Sequence, residues 1–366
     1  MLRTGIISFV MYPVLCVGLV LISIQIMAQQ IHYSDGRPSA TKRMECKDEG
    51  IVLRYGNGPD SCDTYGAREA NIIREGNTYY LFYDGAGKSA WLSCLAVSND
   101  LHHWKKQGAI LTLGDSTKND SKSASAPWLI QEDGLWHMFY LGTPHTTPPP
   151  YRIPAFPYLT MKAKADNLHG PWIKQYDVTP LPPKENSYYS VTSSPGYIVR
   201  HKKEYLMFFS GATQDNSGIK RTLGIARTKN LNSSWSIDST PIFPLTEQVE
   251  NSSMYYDKQS KTWYLFTNHI GIDEKGLEYT DAIWVYWSKD INKWDTRNKA
   301  VVLDSSNCTW AKGAIGMPAV IQVGDRIALL YDAAEGQSKS HMFRSIGLAW
   351  INLPFKIYTP GKERDR

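Results

Sequence analysis

Tyr79-Tyr80-Leu81-Phe82-Tyr83-Asp84 is the stretch that decides the fold, because the same apolar and aromatic phrase returns about every 60 residues. It recurs as Trp136-His137-Met138-Phe139-Tyr140, Tyr205-Leu206-Met207-Phe208-Phe209, Trp263-Tyr264-Leu265-Phe266-Thr267 and Ile327-Ala328-Leu329-Leu330-Tyr331-Asp332. A polar turn reaching Trp follows the first four copies: Ser98 to Trp104, Ala165 to Trp172, Thr228 to Trp235 and Ser288 to Trp294. β-Branched and aromatic runs of this length favour strands. Gly76-Asn77, Asp133-Gly134 and Gly324-Asp325 precede copies one, two and five as hairpin signals. Helical periodicity is nearly absent.

Each repeat holds four short strand candidates. In the first these are Asn71–Arg74, Tyr79–Tyr83, Trp91–Val97 and Gln107–Leu111. Four strands, five repeats and one Trp turn per unit predict an all-β fold, a five-bladed β-propeller with four-stranded antiparallel blades. The fifth copy lacks its Trp turn and the chain runs out after Trp350, so the segment near Gly50–Arg54 is expected to supply the closing strand. A β-sandwich fits poorly, since its strands would not repeat in fours.

The chain has 366 residues, 12 Trp, 22 Tyr and a formal charge of +5. Basic and acidic residues are interspersed, which argues against a nucleic-acid partner. Met1–Ala28 pairs one early positive charge with an apolar run and reads as a signal peptide cleaved after Ala28. The run is also long enough for an uncleaved anchor; no later segment resembles a membrane span. The organisation read from sequence is therefore signal peptide 1–28, exposed lead-in 29–45, propeller 46–358 and polar tail 359–366. The destination is the periplasm or the exterior. Cys46, Cys62, Cys94 and Cys308 remain after the signal; they match no zinc motif and allow three disulfide pairings, while a large core needs no disulfide, which leaves free buried thiols as the alternative for at least some of them.

In such a ring, first-strand starts and second-strand ends share one mouth. Those positions nominate Arg68, Glu69, Ser194, Glu250 and Asn251, with Asp84, His145, Asn268, His269, Asp332 and Glu335. Two carboxylates across a polar pocket, Glu69 and Glu250, are what glycoside hydrolysis needs. Neighbours on a strand face opposite ways, so Arg68 is expected either at the pocket or bracing the blade. Asp63, in the loop before the first strand, Trp128 and Asp281 are further substrate-binding candidates. The proline-stiffened loop from His145 to Arg152 should wall the pocket, and His341 and Arg344 could bind a hydroxyl or carboxylate.

Residues 50 to 353 resemble the five-bladed propeller glycoside hydrolases of families 43, 62, 32, 68, 117 and 130. In family 43, blade one typically starts with Asp-Pro and leads to Tyr-Tyr; Glu69 through Tyr80 fits in register, so the resemblance implies that Glu69 is the general base. Family 43 usually has Asp after Ala-Pro in blade two and the acid Glu in blade three; Trp128 and Ser193-Ser194-Pro195 stand there instead. Glu250 is the best replacement acid. The His acid of family 117 keeps His269 and His145 as donors.

The expected activity is an exported, exo-acting glycosidase that removes a terminal sugar from a plant or algal oligosaccharide or polysaccharide. Its chemistry requires no cofactor. A structural cation in the central channel is compatible with such rings, and no metal ligand set stands out. The alternatives are a non-catalytic carbohydrate-binding propeller and a scaffold for protein partners.

Overall fold

The computed structural model describes Tyr33 and residues 35–361. The proposed signal peptide and the end of the polar tail lie outside the described residues. Among those described, two 3-10 turns, Pro59–Ser61 and Leu245–Glu247, interrupt an otherwise all-β chain. No helix among them is long and apolar enough to cross a membrane.

The strands pair antiparallel in five quartets. Quartet one is Ala67–Glu75, Thr78–Ala86, Trp91–Ser98 and Lys105–Ala109. Quartet two is Ser123–Glu132, Leu135–Thr143, Leu159–Ala165 and Ile173–Lys174. Quartet three is Thr192–His201, Glu204–Asp215, Gly218–Thr228 and Ser236–Ile237. Quartet four is Val249–Asp257, Thr262–His269, Ala282–Ser288 and Lys299–Asp304. Quartet five is Ile315–Val323, Arg326–Ala334, Arg344–Asn352 and, from the other end of the chain, Lys47–Leu53. First strands contact one another in order, and the first strand of quartet five meets that of quartet one. The quartets thus close a ring, which leaves no open sheet edge at the seam.

Local chemistry explains the hairpins. Asp133 (φ 49°) and Gly134 (φ 81°) both adopt the left-handed region that a two-residue turn with strand-compatible twist requires. The Trp turns join neighbouring quartets. Trp172, Trp235 and Trp294 each present an edge to the second-strand aromatic of the preceding quartet, Phe82, Phe139 and Phe208, at 6.4, 5.4 and 6.4 Å. The turn residues Leu101, Leu168, Leu231 and Ile291 are buried beneath. Within quartets a polar lock recurs. Asp63, Asp120 and Glu247 sit just before first strands; each accepts from a tyrosine hydroxyl (Tyr83, Tyr140, Tyr286) and from a lysine on the fourth strand (Lys106, Lys174, Lys299). These carboxylates are buried, and pairing offsets the cost of removing them from water.

The lead-in is not exposed up to residue 45. Arg37, Ala40 and Met44 are buried. Arg43–Met44 lies parallel to Lys299–Asp304 and antiparallel to Ile357–Tyr358, so segments near both ends of the described chain close over quartet four. Arg37 explains the anchoring: its guanidinium ion-pairs with Asp35 and Asp281 and donates to the His269 carbonyl.

Candidate active site

Every first strand carries a bulge at the same place. The unpaired residues are Glu69-Ala70, Ala126-Pro127, Pro195-Gly196, Asn251-Ser252 and Met317-Pro318. Glu69, Ala126, Asn251 and Met317 have φ of 49°, 48°, 65° and 52°. A left-handed residue in a bulge re-aims its neighbours. This is why Arg68 and Glu69 both reach the cavity, although adjacent residues on a regular strand would not.

The bulges also account for several polar second-strand ends. The Glu69 amide donates to Asp332 (2.9 Å), the Asn251 amide to Ser210 (2.9 Å) and the Met317 amide to Asn268 (2.8 Å). In each case a second-strand end satisfies a bulge amide of the next quartet, which would otherwise be an unpaired buried donor.

The bulges line a cavity of about 780 Å³. Of the residues singled out in the sequence, Arg68, Glu69, Asp84, Ser194, Glu250, Asn251 and His341 line it. Thr147, Ile153 and Pro154, on or just beyond the proline-stiffened loop, form part of its wall.

The other candidates lie elsewhere. Asn268 and Asp332 are fully buried anchors of bulges. Asp63 is locked under its loop, accepting from the Gly58 amide at 2.8 Å. Trp128 packs between quartets with its ring edge on Tyr197 at 6.5 Å. Asp281 is held by Arg37, Glu335 pairs with Arg54 on the surface, and His145 is exposed off the lining. His269 is not at the cavity. Its ring is fully buried, stacked on Trp284 at 4.3 Å, with Nε2 against the Tyr286 hydroxyl at 2.8 Å. Burial, with Lys299 and Arg37 nearby, holds its pKa well below the usual value. Enclosed in this way, the imidazole is out of reach of a substrate in the cavity.

Arg221 and Glu278 are the residues that the sequence reading missed. Arg221 holds Glu278 with two hydrogen bonds, Nε to Oε1 at 2.8 Å and Nη2 to Oε2 at 2.6 Å, and its Nη1 reaches Glu250 Oε1. All three residues line the cavity. Burial pushes the Glu250 carboxyl up to about 7; Arg221 pulls it down, while Glu278 and Glu69 push the same way as burial. Glu69 is also raised by burial, against the opposing pull of Arg68, whose Nη2 lies 3.6 Å from its Oε1. Asp84 is raised well above the usual carboxylate range by burial and then by Glu69. Its Oδ1 is buried without a hydrogen-bond partner. Burial, then Arg68 and Arg344, lowers His341 to about 3, and its Nε2 meets the Glu278 carbonyl at 2.8 Å.

Trp91, Phe156, Leu141 and Met317 add apolar surface to the lining beside these charged groups. Sugars present both apolar faces and hydroxyl edges, and such a lining suits them. Among the described residues no group of three or more His, Cys, Asp or Glu is arranged to hold a metal.

No known family model matches the chain, and no curated protein sequence matches it significantly. Solved structures do. The chain is similar to the BT0996 RGII complex, with TM-score 0.65 and 15% identity over 87% of this chain and 94% of that one. It is also similar to the catalytic domain of a GH62 α-L-arabinofuranosidase from Coprinopsis cinerea, with TM-score 0.57 and 12% identity over 85% and 97%. A family 117 glycoside hydrolase from the marine bacterium Zobellia galactanivorans gives TM-score 0.57 and 13% identity over 85% and 91%. The chain therefore has the β-propeller fold of these glycoside hydrolases.

Proposed function

We propose that the chain is an exported glycoside hydrolase built on a five-bladed propeller spanning 46–358, the five quartets being its blades. Glu250 acts as general acid and Glu69 as the base or nucleophile. The observation that carries this reading is the pair of cavity carboxylates, each raised by burial and each beside an arginine. A carboxyl near 7 holds its proton for a leaving oxygen at neutral pH. Arg221 contacts Glu250 at Oε1 and leaves Oε2 for that donation. Glu69 lies beside Arg68, which favours the ionised form during turnover. Arg68, Asp84, Ser194 and Asn251 position the sugar.

The mode is exo. The cavity is walled by the loop around Thr147–Pro154, the hairpin near Ser217–Arg221 and the hairpin Gly271–Tyr279. A single walled pocket accommodates a chain end better than a chain interior. The arabinofuranosidase and arabinanase names among the similar structures make arabinosyl-containing plant glycans the first substrates to try.

The test is a screen of aryl-glycosides and plant or algal oligosaccharides for released monosaccharide, with Glu69→Gln and Glu250→Gln beside the parent. Each variant should fold and lose activity by roughly 10³-fold or more, the scale expected when a general acid or base is lost. Full activity in either would remove that residue from the mechanism. Tight sugar binding with no release by the parent would favour a carbohydrate-binding propeller instead.

A further inference from the structure

Two thiols meet under the loop that feeds the Arg68–Glu69 strand. Cys62 closes the 3-10 turn Pro59–Ser61 and is buried; Cys94 lies on the third strand of quartet one, fully buried. They belong to one core cluster, and both close on the space over Gly85. Gly85 makes the approach feasible. A Cβ placed there would stand 2.5 Å from both the Cys62 carbonyl oxygen and the Cys94 Sγ. With no side chain at 85, the loop lies directly on the strand.

The remaining cysteines among the described residues are set apart. Cys46 and Cys308 pack in a different cluster, which includes residues of quartets four and five, and Cys308 Sγ contacts the Tyr331 hydroxyl at 3.5 Å. Of the three pairings that four cysteines allow, the structure favours the one that keeps Cys62 with Cys94.

We propose that Cys62 and Cys94 are the site of a disulfide, formed when the folding chain meets an exchangeable disulfide oxidant, and that it fastens the 54–66 loop to the third strand of quartet one. The exported destination read from Met1–Ala28 supplies a compartment where such bonds persist. The Cys62 thiolate attacks one sulfur of the oxidant and releases one thiolate. The Cys94 thiolate then attacks Cys62 in the mixed disulfide and releases the second. Two protons and two electrons pass from the two cysteines to the oxidant, which leaves as two thiols. Both sulfurs are enclosed in the finished fold, so the bond forms as the loop closes.

This proposal does not rest on glycosidase activity, and its test reads none. The full chain is refolded with a mixture of reduced and oxidised glutathione, denatured in N-ethylmaleimide, and analysed by intact mass and peptide mapping. The expected result is three alkylated cysteines, Cys16, Cys46 and Cys308, and a cross-linked pair of peptides carrying Cys62 and Cys94. Reduction should lower the thermal midpoint of the parent by several degrees and leave that of Cys62→Ser or Cys94→Ser unchanged. Five alkylated cysteines after oxidative refolding, or a bridge between other partners, overturns the pairing. A 62–94 bridge whose reduction leaves the midpoint unmoved overturns the fastening role. The alkylation readout uses the parent chain, so poor folding of a serine variant does not blunt it.

Discussion

Replacing Arg221 with Met should move the alkaline limit of catalysis upward. Arg221 is the principal cation acting on Glu250, and it also holds Glu278 through two hydrogen bonds. Without it two carboxylates face each other across the gap it occupied, and Glu250 is harder to ionise. Two unit charges about 4 Å apart interact by roughly 4 kcal/mol at an effective dielectric near 20. One pKa unit is about 1.4 kcal/mol, so the ceiling is roughly 3 units. Relaxation of the freed carboxylates reduces this, and a rise of about 1–2 units above the present value of about 7 is expected. The sign follows from the role proposed for Glu250: an acid is active while protonated, so a higher pKa extends activity to higher pH. The assay is kcat/KM against pH on whichever substrate the screen yields, with ¹³C-carboxyl NMR titration of Glu250 as a readout needing no substrate. Breaking a buried pair costs about 3–5 kcal/mol of stability, so Arg221→Lys, which keeps the charge, is the folded control and should shift the limit less. A Glu250 titration unmoved in Arg221→Met would refute the reasoning.

Three further outcomes follow from the same geometry. His269→Gln should lower the thermal midpoint, since it unstacks Trp284, yet leave kcat within a few-fold of the parent; a loss as large as that of Glu250→Gln would return His269 to the chemistry. Burial, then Glu69, pushes the Asp84 carboxyl well above the usual carboxylate range, so between the unfolded and folded pKa values the native protein binds the extra proton and stability falls as pH rises. Asp84→Asn should flatten that slope in thermal midpoint measured between about pH 4 and 7, and identical slopes would contradict it. Lys106→Met leaves the Asp63 carboxylate without its cation and should cost about 3–5 kcal/mol in denaturant unfolding; a loss under about 1 kcal/mol would mean the lock contributes little.

The ring was readable because each repeat spells its strand and its Trp turn locally. Glu69 and Glu250 were readable because position along the first strand sets position around the mouth. Asn268, His269 and Asp332 satisfied the same rule and still face away from the cavity. The rule counts residues along a strand, whereas bulges create new amides that need acceptors, and polar strand ends serve them. Arg221 was overlooked for a complementary reason. Where second strands end at the mouth, third strands begin there; Trp91, Tyr158 and Arg221 all stand at or near such beginnings and line the cavity. Extending the search to third-strand starts would have found them. Glu278 lies on an added hairpin outside the repeat, so periodicity carries no signal for it.

The five bulges act as numbered addresses around one rim. Their first residues are Glu, Ala, Pro, Asn and Met, yet the strands that carry them keep the same break in register. Side-chain identity at an address is thus uncoupled from closure of the ring, which depends on locks and Trp turns farther out. Under the proposed function, a carboxylate could be moved from one address to another, turning the direction of attack on a bound sugar by a sector of the circle while the frame stays as it is. For such a ring, chemistry is a matter of angular placement, and descent from a common frame need not preserve which sector supplies the acid.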